Sequence, residues 1–155
     1  DAGEAVKRIN RHMCANAVEG RFVTFVLVMI DTKKNRVTLV NAGHMSPIVR
    51  HKDGSLEELP EAAVGLPIGV MDDFEYEVVD REILPGDVVV IYTDGVSEAM
   101  NPQNELFSID RIRGIMKSNP LSASGMGKVI LEDVKKHDNG REQNDDITLM
   151  SFGRA

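Results

Sequence analysis

The chain has 155 residues, 42% of them hydrophobic and 28% charged, with a formal net charge of -7. That size and balance suit one globular domain, residues 1–155, with a real core. They argue against nucleic acid, because no basic run is present, and against a membrane span, because no stretch of about 18 apolar residues occurs. The acidic balance favours a cationic partner such as a divalent metal. Cys14 is the single cysteine. It allows no internal disulfide, which fits a reducing cytoplasm.

In chain order, residues 3–18 predict a helix, with Val6, Ile9, Met13 and Ala17 on one face. Residues 22–30 (FVTFVLVMI) and 36–41 (RVTLVN) predict two antiparallel strands, joined by the polar segment 31–35. Their near-continuous apolarity predicts a sheet covered on both sides. The stretch Asn41-Ala42-Gly43-His44-Met45-Ser46-Pro47 punctuates the chain before a strand at 48–51. His44 reads first as a turn residue hydrogen-bonded to local backbone. Asp53-Gly54 predicts a hairpin to a strand at 56–59, and 60–70 a loop. Residues 74–79 (FEYEVV) alternate, which predicts a strand with one wet face.

Leu84-Pro85-Gly86-Asp87 is turn chemistry, and the apolar run from Val88 to Tyr92 predicts a strand buried on both faces. That run ends in Thr93-Asp94-Gly95. Residues 96–106 predict an irregular loop, 109–117 a helix, and 122–136 a second helix with Ser122 as its N-cap. Gly125-Met126-Gly127-Lys128 lacks phosphate-loop spacing, since Val129 stands where Ser or Thr is needed. A polar loop follows, then a strand over 145–152 that begins with two acids.

Asp94 ends one apolar run and Asp145-Asp146 begins another. Asp94-Gly95 alone reads as a tight turn. If the two strands are antiparallel neighbours, however, the acids share one end of a sheet. Carboxylates that close repel unless a cation sits between them. Hard ions such as Mg²⁺ or Mn²⁺ prefer such oxygen donors, and no His/Cys set at zinc spacing competes.

Taken together, FVTFVLVMID, RVTLVNAGHMSPIV, LPGDVVVIYTDGVSEA and NDDITLM resemble the bacterial sporulation- and stress-type serine phosphatases of the metal-dependent protein phosphatase 2C superfamily. The resemblance runs over residues 22–152. It implies an α+β fold, an antiparallel β-sandwich flanked by helices (α-β-β-α). Asp94 and Asp145 then map onto catalytic metal ligands, with Gly95 and Asp146 in support. The implied reaction is hydrolysis of phosphoserine or phosphothreonine on a regulatory protein, such as an anti-sigma-factor antagonist, by a water activated by two Mn²⁺ or Mg²⁺ ions.

The family's early strands carry further metal-binding acids before a Gly-rich turn, and residues 1–21 match none of them. The first residue is Asp1, not Met. The expectation is therefore an N-terminally incomplete catalytic domain with half a metal site and little or no activity alone. An upstream sensor or regulatory domain, a phosphoprotein substrate and a second copy of the chain are the expected partners. The competing readings are a catalytically inactive, partner-binding phosphatase-like module and a structural domain whose acids have no chemical role.

Overall fold

In the computed structural model the described residues are 1–16 and 20–155. In chain order the elements are α1 (Ala2–Asn16), β1 (Phe25–Asp31), β2 (Arg36–Ala42), β3 (Ile48–Arg50), β4 (Leu56–Glu58), β5 (Val64–Gly65), β6 (Val79–Glu82), β7 (Val88–Tyr92), α2 (Asp94–Ser97), α3 (Ile109–Ser118), α4 (Ala123–Asp138) and β8 (Leu149–Gly153). They fall into two compact units, residues 1–46 with 59–83 and residues 47–58 with 84–155. The fold is α+β and its sheets are dominated by antiparallel pairs.

In the first unit, β1 and β2 pair antiparallel from Phe25↔Ala42 to Asp31↔Arg36. The turn between them is closed by Asp31, whose Oδ1 accepts from the backbone N–H groups of Lys33 and Lys34, both at 3.0 Å. The other edge of β2 is shared. β6 pairs antiparallel with Arg36–Leu39, and β5 pairs parallel with Asn41 and Ala42. Only β2 meets the expectation of a strand covered on both faces; β1 is half-buried and then exposed, with Met29 and Ile30 open to solvent. Phe25 and Leu27 still pack against the cluster that includes Val6 of α1, but Met29 to Asp31 run out into solvent.

Helix α1 buries Val6 and, one turn on, Asn10. The Asn10 amide donates to the Met71 carbonyl at 2.7 Å and accepts from the Gly69 N–H at 2.9 Å. A buried amide with both ends satisfied fixes the helix's phase. Ile9, expected inward, is therefore turned out and 46% exposed. Ala17 and Val18, read as the helix end, lie outside the described residues. The expected strand over 74–79 is also corrected. Its ladder starts only at Val79, while Phe74 and Tyr76 stand edge to face, 5.0 Å between ring centroids, over Gly65.

In the second unit the sheet order is β4-β3-β7-β8, with every pair antiparallel. β7 is central and wholly buried, as its β-branched run predicts. The core of this unit joins Val88, Val90 and Tyr92 to Ile112 and Met116 of α3 and to Met126, Ile130 and Val134 of α4. Each such side chain contributes about 1.5–3 kcal/mol of burial. Ser122 caps α4 as expected, its Oγ accepting from Gly125 N–H at 3.3 Å. Gly127, the second glycine of the rejected phosphate-loop pattern, lies where an added Cβ would be 2.7 Å from Ser151 Oγ. It lets α4 close on β8. At the start of β7, the buried Asp87 carboxylate accepts from the backbone N–H groups of Lys52 (3.1 Å) and Leu84 (3.0 Å) and so fixes the preceding turn.

The two tyrosines, Tyr76 and Tyr92, are buried, and among the described residues their hydroxyls have no hydrogen-bond partner. Burial pushes both phenols up, and the nearby Glu58 carboxylate adds to the effect on Tyr92, which reaches about 12. The chain has no Trp, so absorbance near 295 nm (about that wavelength, as for any phenolate) reports these two groups alone. The folded protein should show less tyrosinate at about pH 10 than the denaturant-unfolded chain, which should be half ionised there. The folded state keeps protons that the unfolded state releases. Stability is thus whole below about pH 10 and falls as pH rises towards about 12. Half-ionised tyrosine in the native protein at about pH 10 would contradict this.

Candidate functional site

β7 and β8 run antiparallel, and their last regular pair is Tyr92↔Leu149. The end of β7 therefore faces the start of β8, and the chain segments beyond both are neighbours. Thr93 extends the pairing by one step, its N–H donating to the Thr148 carbonyl at 3.0 Å. Beyond it, the polypeptide turns into the single helical turn α2 at Asp94. The expected irregular loop thus begins only after Ser97, and a Met100↔Leu106 bridge ties it together. On the other side, the expected strand over 145–152 is shortened to Leu149–Gly153. Before Thr148 the segment leaves the ladder, and the carbonyls of Asp145 and Asp146 accept from the side chains of Gln143 and Thr93 instead.

Gly95 is buried in this junction. A Cβ there would lie 2.5 Å from the Asp146 carbonyl oxygen and 3.2 Å from that of Asp145. Only a residue without a side chain allows the two acidic segments to meet so closely. The structure thus brings the backbone of Asp94-Gly95 against that of Asp145-Asp146.

The acids share one local geometry. Asp94 Oδ1 accepts from the next residue's N–H, that of Gly95, at 3.0 Å. Asp145 Oδ1 likewise accepts from Asp146 N–H at 2.7 Å. Each carboxylate is oriented through one oxygen, and among the described residues the second has no hydrogen-bond partner. Asp94, Asp145 and Asp146 are all exposed. Among the described residues, no salt bridge neutralises any of the three. The side-chain amide of Gln143 donates to the Asp145 carbonyl and steadies the approach to it. A cavity of about 150 Å³, bordered by Gly95, Glu98, Asp138, Glu142 and Asp145, opens beside this junction. A larger concavity, about 450 Å³ and lined by Arg50, Lys52, Val88 and Arg154, lies at the opposite end of β7, away from these acids.

Exposed carboxylate oxygens with no cationic partner are hard donors suited to Mg²⁺ or Mn²⁺. Among the described residues, no group of three or more His, Cys, Asp or Glu side chains is gathered to hold an ion. Asp94 and Asp145 fit such an ion as part of a ligand set. Mg²⁺ in particular is held by one or two carboxylates, with water and phosphate oxygens completing the shell.

His44 lies in the first unit and is held by its own turn. Its N–H donates to Asn41 Oδ1 at 2.8 Å, its carbonyl accepts from Asn41 Nδ2 at 3.0 Å, and its ring Nδ1 lies 3.2 Å from Thr24 Oγ1. Asn41 is buried, so the Asn-Ala-Gly-His sequence is a side-chain-closed turn. Sequence reasoning overlooked Thr93. Its only signal there was its place between a buried strand and the acid.

The family model described as stage II sporulation protein E (SpoIIE) matches residues 1–154. The chain is 28% identical over 152 residues to the phosphoserine phosphatase RsbU of Bacillus subtilis (strain 168), covering 97% of this chain and 44% of that protein. It spans less than half of that relative's length. Among solved structures, it superimposes on the PP2C phosphatase domain of SpoIIE from Bacillus subtilis, solved with a fragment of its regulatory domain. The TM-score is 0.78 at 23% identity, covering 97% of this chain and 43% of that one. The SpoIIE phosphatase domain presoaked with Mn gives a TM-score of 0.71 at 21% identity, covering 99% of this chain and 66% of that one. These structural likenesses establish the fold.

Proposed function

Because the chain belongs to the SpoIIE family of PP2C-type phosphatase domains, we propose that it carries part of the metal site of a protein serine/threonine phosphatase. The proposed substrate is a phosphoserine or phosphothreonine on a regulatory protein, of the anti-sigma-factor-antagonist kind. The observation that carries this reading is the junction itself. Two acids from segments 51 positions apart, Asp94 and Asp145, meet at one end of a sheet, and among the described residues neither carboxylate has a cationic partner. RsbU, which is named a phosphoserine phosphatase, supports the same substrate class.

In this reading Asp94 and Asp145, each steadied by one backbone N–H, would be among the residues that hold Mn²⁺ or Mg²⁺. The bound ions would supply the Lewis acidity that activates a water and neutralises charge on the phosphate. The chain's own part is geometric. β7 fixes the backbone that leads through Thr93 into Asp94, Gly95 admits the partner segment, and Asp146 donates its N–H to keep the Asp145 carboxylate turned. No side-chain nucleophile is called for, and Cys14 on α1 is left out of the chemistry.

The test is release of inorganic phosphate from a phosphoserine peptide by the full-length polypeptide. Hydrolysis is expected with Mn²⁺ and is expected to disappear with excess EDTA. Hydrolysis that persists unchanged in EDTA, or none under any divalent ion, would refute the reading.

A further inference from the structure

We propose that Thr93 is the positioning residue that sets the Asp145 segment against Asp94, acting through its side-chain hydroxyl. The inference rests on the phosphatase reading. Its observations are independent of it, since they concern hydrogen bonds and not ligands.

The β7–β8 ladder ends at Tyr92↔Leu149, four residues short of Asp145. Backbone pairing beyond that pair is the single Thr93 N–H bond to the Thr148 carbonyl, which leaves residues 145–147 to be held in another way. The Thr93 hydroxyl supplies that hold. Oγ1 donates to the Asp146 carbonyl at 2.9 Å and accepts from the Thr148 N–H at 2.9 Å. Both capacities of the hydroxyl are used, one to each side of Ile147. The Thr93 N–H meanwhile donates to the Thr148 carbonyl at 3.0 Å. A longer contact of 3.4 Å also runs from Oγ1 to the Thr148 carbonyl, so one residue holds one short segment through both its hydroxyl and its N–H. Its own backbone continues directly into Asp94. The carbonyl it holds, that of Asp146, is the same one that packs on Gly95. Displacing Asp146 also moves its N–H, one peptide unit back along the chain, which orients Asp145 Oδ1.

A threonine suits this place for a second reason. Its β-branch restricts χ1, so the hydroxyl is held in one direction without help from neighbours. The junction is partly open to water, so removing the hydroxyl exposes bonding groups that solvent can satisfy. The cost should therefore appear in the placement of the acids more than in folding. Partners that orient a metal ligand indirectly typically alter metal affinity by about 10–100-fold.

The experiment measures Mn²⁺ binding directly, by titration calorimetry or by the free-ion electron paramagnetic resonance signal. It uses the full-length polypeptide and its Thr93→Val, Thr93→Ser and Asp94→Asn variants, with thermal melting of each. Thr93→Val keeps the shape and removes both hydroxyl bonds; it should weaken Mn²⁺ binding about 10–100-fold. Thr93→Ser keeps the hydroxyl and should bind within about threefold of the parent, a span smaller than the loss expected for Val. If Thr93→Val binds Mn²⁺ as the parent does while Asp94→Asn does not, the positioning role falls and the phosphatase reading stands. If Asp94→Asn also binds as the parent does, the phosphatase reading falls too. If Thr93→Val melts far below the parent, the Ser variant decides. Affinity lost equally in Thr93→Ser overturns the proposal, and affinity retained there supports it.

Discussion

Replacing Asp94 or Asp145 with Asn should lower metal-dependent phosphate release by roughly 10³-fold, at about 1.36 kcal/mol per tenfold in rate. The size follows from what is removed. Divalent ions stabilise transition-state charge by several kcal/mol, and an amide oxygen is a far weaker donor to a hard ion than a carboxylate. The fold should not suffer. Asn retains an oxygen able to accept from Gly95 N–H or Asp146 N–H, the bond each carboxylate makes now. Both side chains are also exposed. Removing a negative charge from an acidic junction relieves repulsion, so the melting temperature should stay level or rise slightly. Phosphate release and thermal melting measured together separate the two effects. A variant that keeps more than about a tenth of parental activity would remove that residue from the proposed site, because a tenth corresponds to only about 1.4 kcal/mol.

Gly95→Ala should be the most damaging single methyl in this junction. The added Cβ would stand 2.5 Å from the Asp146 carbonyl oxygen and 2.9 Å from its carbon. Both are backbone atoms, so no rotamer change relieves the clash. Overpacking of this kind costs about 1–3 kcal/mol. At roughly 2–4 °C per kcal/mol for a chain of this size, melting should fall by several degrees. Gly114→Ala is the matched control. It lies within α3 with nothing within 4 Å of its added Cβ. There the same methyl should stabilise by about 0.5–1 kcal/mol through helix propensity. Equal melting temperatures for the two variants would show that the close approach at Gly95 is not a constraint.

These two glycines also mark what can be read from residue order. Asp94-Gly95 has the look of a turn, and a turn it is. The reason that glycine is required lies in the Asp146 carbonyl, a contact between segments far apart in the chain. The buried strand β7 was legible because Val88 to Tyr92 is apolar at every position, a pattern that needs no partner to be recognised. Helices α3 and α4 were legible from periodicity, and the Ser122 cap from its chemistry. The alternation of residues 74–79 misled, because Phe74 and Tyr76 cover Gly65 without joining a ladder. Asn10 was invisible for a similar reason. A polar residue in mid-helix reads as solvent-facing until Gly69 and Met71 are seen to be its partners. The acids could be picked out, but the strand drawn through Asp145-Asp146 could not hold, since Thr93 and Gln143 bind that segment through side chains.

Among the described residues, every strand-to-strand pairing in the first unit is made to β2. β1, β5 and β6 each bond to it and none of them to another. Such a sheet is a hub with spokes. Opening the hub releases all three spokes at once, whereas any spoke can detach while the remainder persists. Sub-global unfolding there should thus be strongly hierarchical, with the amides of Arg36–Ala42 among the last to exchange with solvent.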